Sequence, residues 1–320
     1  MTFQDPFAPL ANLGRPLRVA TLGECMIELS DLGASDGRVA MGVAGDTLNC
    51  AIYLARCCQG LDVAVSYLTA LGDDQLSDQM VEVMAAEGVS ADGLVRFAGK
   101  LPGIYAIELD DAGERSFRYW RSQSAAKSML DQGGLSDATI ESFDVLALSA
   151  ISLAILPPEG RRRLIEVCAR MKAAGKVVVF DSNYRPALWA SEDEARETIG
   201  AMWAATSVGL PSRDDEAKLW PGETPDQLLA RIDAPEIALK DGPGGPWLYA
   251  GSALPKKDYP PAVRVVDTTS AGDSFNAGYL AARLRGDSPE QAAMAGHQLA
   301  CVVIGEKGAI IPPAAMPHLG

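Results

Sequence analysis

Short apolar runs alternate with longer helical patterns along nearly the whole chain, and this alternation restricts the fold more than any other feature of the sequence. Arg18 to Leu22, Val63 to Leu68, Val145 to Leu148, Val177 to Phe180, Thr206 to Leu210 and Ile237 to Leu239 read as buried strands. Between them lie helical patterns over Thr47–Cys58, Gln75–Glu87, Glu159–Ala174 and Ser191–Ala204, with a shorter one near Asp214–Trp220. Two further helices, Phe275–Arg285 and Pro289–Ile304, close the chain. Strands that alternate with helices require right-handed crossovers and a mostly parallel sheet flanked by helices. A single α/β domain is expected over 18–320, after a short, polar or loose extension over 1–17.

One region departs from this rhythm. Gly103 to Arg121 alternates apolar and polar residues around Asp111-Ala112-Gly113, the pattern of a β-hairpin. A hairpin without a crossover helix is expected to form a small β lid beside the parallel sheet, from about 97–122, with further strand from about 27–42. Tyr105, Tyr119 and Arg121 are expected on its exposed faces, and Ile104, Ile107 and Phe117 could pair across a homo-oligomer.

Composition removes several function classes. The chain has 320 residues and a net charge of −14, opposite to the basic balance of a nucleic-acid binder. No apolar run reaches transmembrane length, and Met1 to Pro16 lacks the apolar core of a signal peptide, so a cytoplasmic protein without a membrane partner is expected. The six cysteines show no C-x-x-C spacing and read as reduced thiols. The two histidines, His297 and His318, lie far from any Cys or His partner, which argues against a histidine triad or a zinc site. His297 reads as a solvated or capping residue.

The chemistry concentrates in a few small-residue turns. Thr268 to Ser274 lies between an apolar run (Val263, Val265, Val266), read as a strand, and the helical pattern from Phe275. Small residues let a ligand approach the backbone, and the unpaired N–H groups of a helix start suit a phosphate. Asp273 stands inside this turn. A carboxylate there can take a proton while the amides of Ala271, Gly272 and Asp273 hold developing negative charge.

Ahead of another helix, Gly45 permits close approach, Asp46 can accept hydroxyl hydrogen bonds and Asn49 offers both donor and acceptor. Asp46 or Thr47 could equally cap that helix. Asp181 and Asn183 follow a strand directly, where ligands of open parallel sheets sit, and Arg185 lies two residues on. No Walker or dinucleotide fingerprint is present; Lys240 to Gly245 is a glycine-rich loop of another kind.

The turn Asp267-Thr268-Thr269-Ser270-Ala271-Gly272-Asp273 resembles the Asp-Thr-x-Gly-Ala-Gly-Asp signature of the ribokinase-like (PfkB) sugar kinases. It departs at Ser270, where that family usually has glycine; a left-handed backbone there costs serine about 1–2 kcal/mol more than glycine. Leu22-Gly-Glu-Cys-Met-Ile-Glu-Leu29, Leu101-Pro-Gly103, Gly113-Glu-Arg115, Tyr119-Trp-Arg121, Ser152 to Leu156, Asn183-Tyr-Arg-Pro186 and Lys307 to Pro312 look together like the 2-keto-3-deoxygluconate kinase branch. The resemblance runs from about Arg18 to Pro317.

It implies a ribokinase-like fold and transfer of phosphate from ATP, with Mg²⁺, to the 6-hydroxyl of 2-keto-3-deoxygluconate, giving the 6-phosphate. Monovalent-cation dependence and the accepted C4 epimer stay open. It implies that Asp273 is the general base, and that Gly45, Asp46, Asn49, Tyr105, Tyr119, Arg121 and Arg185 bind substrate. It implies that Asn183, Lys240, Gly242, Gly245, Ser270 and Gly272 bind nucleotide. Many relatives carry Asn-x-x-Glu near Mg²⁺; here Pro211 to Glu216 contains no Asn, which leaves Asp215 or Glu216 for the metal. The alternatives are a kinase for another ketose, such as fructose, and a non-catalytic sugar-acid sensor on the same fold.

Overall fold

The computed structural model describes residues 3–11, 13–32, 38–109 and 115–318. A seven-stranded sheet runs in the order Trp247–Ala250, Glu236–Leu239, Val208–Gly209, Val177–Asp181, Val145–Ser149, Leu17–Leu22, Val63–Leu68. All pairings are parallel except the edge pair of Trp247–Ala250 with Glu236–Leu239. Every central strand is buried on both faces, as a parallel sheet covered by helices requires. Val145, Ala147, Val177 and Val179 point into one core with the helices Asp46–Cys57, Ala271–Arg285 and Pro289–Val303. Their neighbours Leu146, Leu148, Val178 and Phe180 point into the other with the helices Pro158–Ala173 and Glu192–Ala204.

The chain leaves the first strand toward Val63–Leu68 on one side and later returns to Val145–Ser149 on the other. The order therefore reverses at Leu17–Leu22, and the carboxyl ends around that reversal are where an open α/β sheet receives its ligand.

A separate four-stranded sheet is built from the segments expected to form the lid, in the order Ala40–Ala44, Met26–Ser30, Gly103–Leu109, Arg115–Trp120. Its register sets Glu28, Tyr105 and Tyr119 side by side on one face. The expected hairpin tip, Asp111 to Gly113, and residues 33–37 of the expected lid strand lie outside the described residues.

Four expectations change. Val263 to Val266 form no strand and are exposed; the amides of Val266 and Asp267 bond the Ile304 carbonyl instead of a sheet neighbour. The sheet edge on that side is held by Trp247–Ala250, a strand the alternation did not reveal. Thr206 to Leu210 contributes only Val208–Gly209 to the ladder. The N-terminal segment is docked rather than loose: Phe7 and Leu10 are buried, and Asp5 pairs with Arg283.

Candidate active site

Two helix starts and four strand ends meet beneath the lid. The helix Ala271–Arg285 begins at Ser270, whose φ of 65° is left-handed, and no side chain caps it. None of its first amides is taken by a capping side chain, and that of Ala271 donates to the Thr268 carbonyl at 3.3 Å. Asp273 is half-buried there. Its Oδ2 accepts hydrogen bonds from Asn49 Nδ2 at 2.9 Å and from Ser270 Oγ at 3.0 Å. Burial, with the nearby Asp46 carboxylate, pushes the Asp273 carboxyl up to about 7, against the pull of the Asn49 and Ser270 hydrogen bonds. That places its proton affinity where a general base at neutral pH operates.

Asp46 opens the other helix but does not cap it. Its Oδ2 accepts from Asn183 Nδ2 at 2.8 Å and from Ser149 Oγ. Gly45 is required by the protein itself, since a Cβ there would lie 2.4 Å from the Glu24 carbonyl oxygen. Asn183, which the resemblance assigns to nucleotide, thus donates to Asp46, which it assigns to substrate.

Asp181, Lys240 and Asn276 form a closed triangle. Lys240 Nζ donates to Asp181 Oδ2 at 2.6 Å and to Asn276 Oδ1 at 2.9 Å, and Asn276 Nδ2 donates to Asp181 Oδ2 at 2.6 Å. The ammonium lies 3.6 Å from where a Cβ on Gly272 would stand. A cation beside the positive end of a helix is unfavourable unless an anion joins them. Asp181 is the anion that joins them here, and a phosphate at this corner would meet Lys240 and the helix start together, which fits ATP.

The loop after Lys240 turns on left-handed glycines, Gly242 at φ 50° and Gly245 at φ 67°. A Cβ on Gly245 would fall 2.2 Å from the Tyr259 ring, so this glycine answers to protein packing. Gly244 faces open space, with Asp241 Oδ2 at 3.8 Å as the nearest atom.

Over the site, Tyr105 is buried rather than exposed, and its hydroxyl donates to Glu28. Tyr119 stands opposite it across the ladder, with ring centroids 5.9 Å apart, and remains exposed. Arg121 is also largely buried: it pairs with the deeply buried Glu24 and lies 5.8 Å from the Tyr119 ring centroid. Expecting all three on exposed faces treated the lid as a free hairpin, whereas its inner face covers the domain. Arg185 is half-exposed and pairs with Asp215 at 3.3 Å. The two arginines are thus held by different carboxylates.

Neither acidic residue considered for a metal is unpaired. Asp215 pairs with Arg185 and Lys218, and the fully buried Glu216 pairs with Arg231 at 2.7 Å. Among the described residues no cluster of three His, Cys, Asp or Glu side chains could hold a metal ion. His297 is buried rather than solvated, with Nε2 2.7 Å from the Pro260 carbonyl oxygen, its ring against Tyr259 and Cys301 Sγ at 3.4 Å, one helical turn on, so the expectation that no cysteine lies near it fails.

Between the carboxylates remains a cavity of about 20 Å³ lined by Asp46, Cys50, Ser149, Asp181 and Asp273. It holds about one water and no sugar. Sequence reasoning assigned no role to Glu24, Glu28, Ser149 or Asn276. Asn276 was findable one helical turn beyond Asp273, on the same face. Glu24 and Glu28 were findable as carboxylates inside an apolar stretch, which must find partners when buried.

A carboxylate raised toward neutrality by burial, set at an uncapped helix start with a lysine beside it, suits phosphoryl transfer to a hydroxyl. Residues 17–316 match the profile of the pfkB family carbohydrate kinases, and the chain belongs to that family. It is 43% identical over 310 residues to a 2-dehydro-3-deoxygluconokinase of Escherichia coli K12, covering 94% of this chain and 99% of that one. It is 44% identical to a 2-dehydro-3-deoxygluconokinase of Dickeya dadantii, covering 93% and 98%. The fold also matches a crystal structure of fructokinase with bound ATP from Xylella fastidiosa, with a TM-score of 0.79, 22% identity, and 94% and 96% of the two chains covered.

Proposed function

We propose that this kinase phosphorylates 2-keto-3-deoxygluconate at its 6-hydroxyl, with ATP and Mg²⁺ as donor. The observation that carries the chemistry is Asp273, brought to about 7 by burial at the start of the helix Ala271–Arg285. Asp273 accepts the proton of the acceptor hydroxyl as that oxygen attacks the terminal phosphorus and the bond to the bridging oxygen breaks, releasing ADP. ATP, when bound, supplies the transferred phosphoryl group. Lys240 and the amides of Ala271, Gly272 and Asp273 hold charge on that group, which is the main demand phosphoryl transfer makes on a protein. Asp46, Asn49 and Asn183 orient sugar hydroxyls. Tyr105 and Tyr119 cover the sugar and keep water out.

The sugar-acid reading rests on Arg121 and Arg185 and on extensive identity to enzymes named for this substrate. Guanidinium groups match a carboxylate bidentately. Arg121 is held by Glu24 through Nη2, which leaves its other donors for substrate. Reduced cysteines suit a cytoplasmic enzyme, and the apolar lid residues suit a homo-oligomer.

The test is coupled ADP release over a panel of 2-keto-3-deoxygluconate, its C4 epimer, fructose and gluconate. The keto-deoxy acid should exceed fructose in kcat/KM by at least about 10²-fold. A preference for fructose overturns the sugar-acid assignment, and tight acid binding without ADP release indicates a sensor.

A further inference from the structure

Ser270 occupies a conformation that glycine adopts without penalty, and it is one of three non-glycine residues with positive φ among the described residues. A strained serine persists when its side chain does something glycine cannot. It does not cap the helix it precedes, since no cap hydrogen bond forms. Its Oγ instead reaches Asp273 Oδ2 at 3.0 Å, and Asn49 Nδ2 reaches the same oxygen at 2.9 Å. Both donors fall on Oδ2, which leaves Oδ1 without a protein donor among the described contacts.

We propose that Ser270 is a positioning residue for the general base: with Asn49 it pins Oδ2 of Asp273 and presents Oδ1 to the acceptor hydroxyl. This rests on the reading of Asp273 as the base, and it replaces the nucleotide-binding role that the resemblance gave Ser270.

The hydroxyl also acts on the charge. Asp46 from the neighbouring helix and Asp181 from the strand end both oppose ionisation of Asp273, and burial opposes it more. Lys240 faces the same floor but is bound to Asp181 and Asn276, and Tyr105 closes it from the lid with its hydroxyl on Glu28. Ser270 and Asn49 are the donors placed on the base itself, and a donor to a carboxylate favours its charged form. Without the serine hydroxyl, Asp273 should ionise at higher pH.

The experiment compares wild type, Ser270→Gly, Ser270→Ala and Asp273→Asn in kcat/KM for the sugar acid from pH 5.5 to 9.5 at saturating ATP, with Tm for each. Glycine suits the left-handed backbone, so Ser270→Gly should fold at least as well as wild type. In both serine variants the acidic limb should move up by about one pH unit, giving roughly tenfold loss at pH 6 and a few-fold at most at pH 9. An unmoved limb in both, or a loss equal at all pH values, overturns the proposal. Near wild-type turnover by Asp273→Asn instead overturns the base reading, whatever the serine variants do.

Discussion

Asp273→Asn separates what the base does for chemistry from what it costs the fold. The substitution keeps the shape of the side chain and its contacts with Asn49 and Ser270 while removing basicity. Loss of a general base lowers kcat by about 10²- to 10⁴-fold, with little change in sugar affinity. The stability effect runs the other way. Burial first, then Asp46, raise the carboxyl from the ordinary 3.8 to about 7, a gap equivalent to about 4 kcal/mol. Below pH 4 the side chain is protonated in both folded and unfolded states, and no penalty exists. Between 4 and 7 the unfolded chain releases the proton and the folded one keeps it, so wild-type stability falls as pH rises. Above 7 the full cost of the buried charge is present.

Asparagine, neutral throughout, avoids that cost. The variant should therefore be more stable than wild type above pH 7, by up to about 6 °C in Tm at about 1.5 °C per kcal/mol for a chain of this length. The advantage should narrow below pH 7 and vanish near pH 4. Differential scanning fluorimetry from pH 4 to 9 and coupled ADP release on the same preparations measure both effects. A Tm difference that does not change with pH, or a variant less stable than wild type at pH 8, refutes the burial argument. Near wild-type kcat refutes the base assignment.

Other substitutions test the remaining parts of the site. Arg121→Lys keeps a charge for the buried Glu24 but loses the planar fork; kcat/KM for the acid should fall about 10-fold or more with Tm little changed, and unchanged kinetics would remove Arg121 from the substrate. Arg185→Leu should lose about 10²-fold for the acid and less for neutral ketoses, and an equal loss for both would show that it does not read the carboxylate. Gly244→Val, in open space, should raise KM for ATP far more than for sugar, whereas Gly245→Val should lower Tm through its clash with Tyr259. Arg283→Met strands the fully buried Glu236 and should cost about 3–5 kcal/mol, visible as a Tm drop with unchanged KM values.

The sheet was legible because a buried parallel strand writes itself as an uninterrupted apolar run: Val145 to Leu148 feeds both cores and could not be a surface segment. The same rule misled at Val263 to Val266, where apolar residues sit exposed in a connection; apolarity marks a strand only if a neighbour is there to pair with it. Asp273 was legible from its turn. Its partner Asn49 is 224 positions away, and Arg121 is 97 positions from Glu24, so only the fold brings these pairs together. Long side chains were the least legible. Arg121 and Tyr105 reach inward or outward with equal local plausibility, and the choice is made by Glu24 and Glu28 on a different strand and loop.

Unequal partnering is what singles out the base. Carboxylates crowd this end of the sheet, yet Asp181 has Lys240, Glu24 has Arg121, Asp215 has Arg185 and Lys218, and Glu216 has Arg231. Each of those is tied to a cation that balances its charge. Asp46 and Asp273 face one another with neutral donors: Ser149 and Asn183 on the first, Asn49 and Ser270 on the second. Two neighbouring carboxylates without a cation cannot both ionise cheaply, and Asp273 is the one carried to about 7. It also stands at the helix start beside Lys240, where the proposed phosphate site lies. On the proposed reading, a base arises where two neighbouring carboxylates lack the counter-ion that most of the others have. A cation introduced next to Asp273, as in Asn49→Lys, should lower its proton affinity and weaken catalysis even though the base itself is untouched.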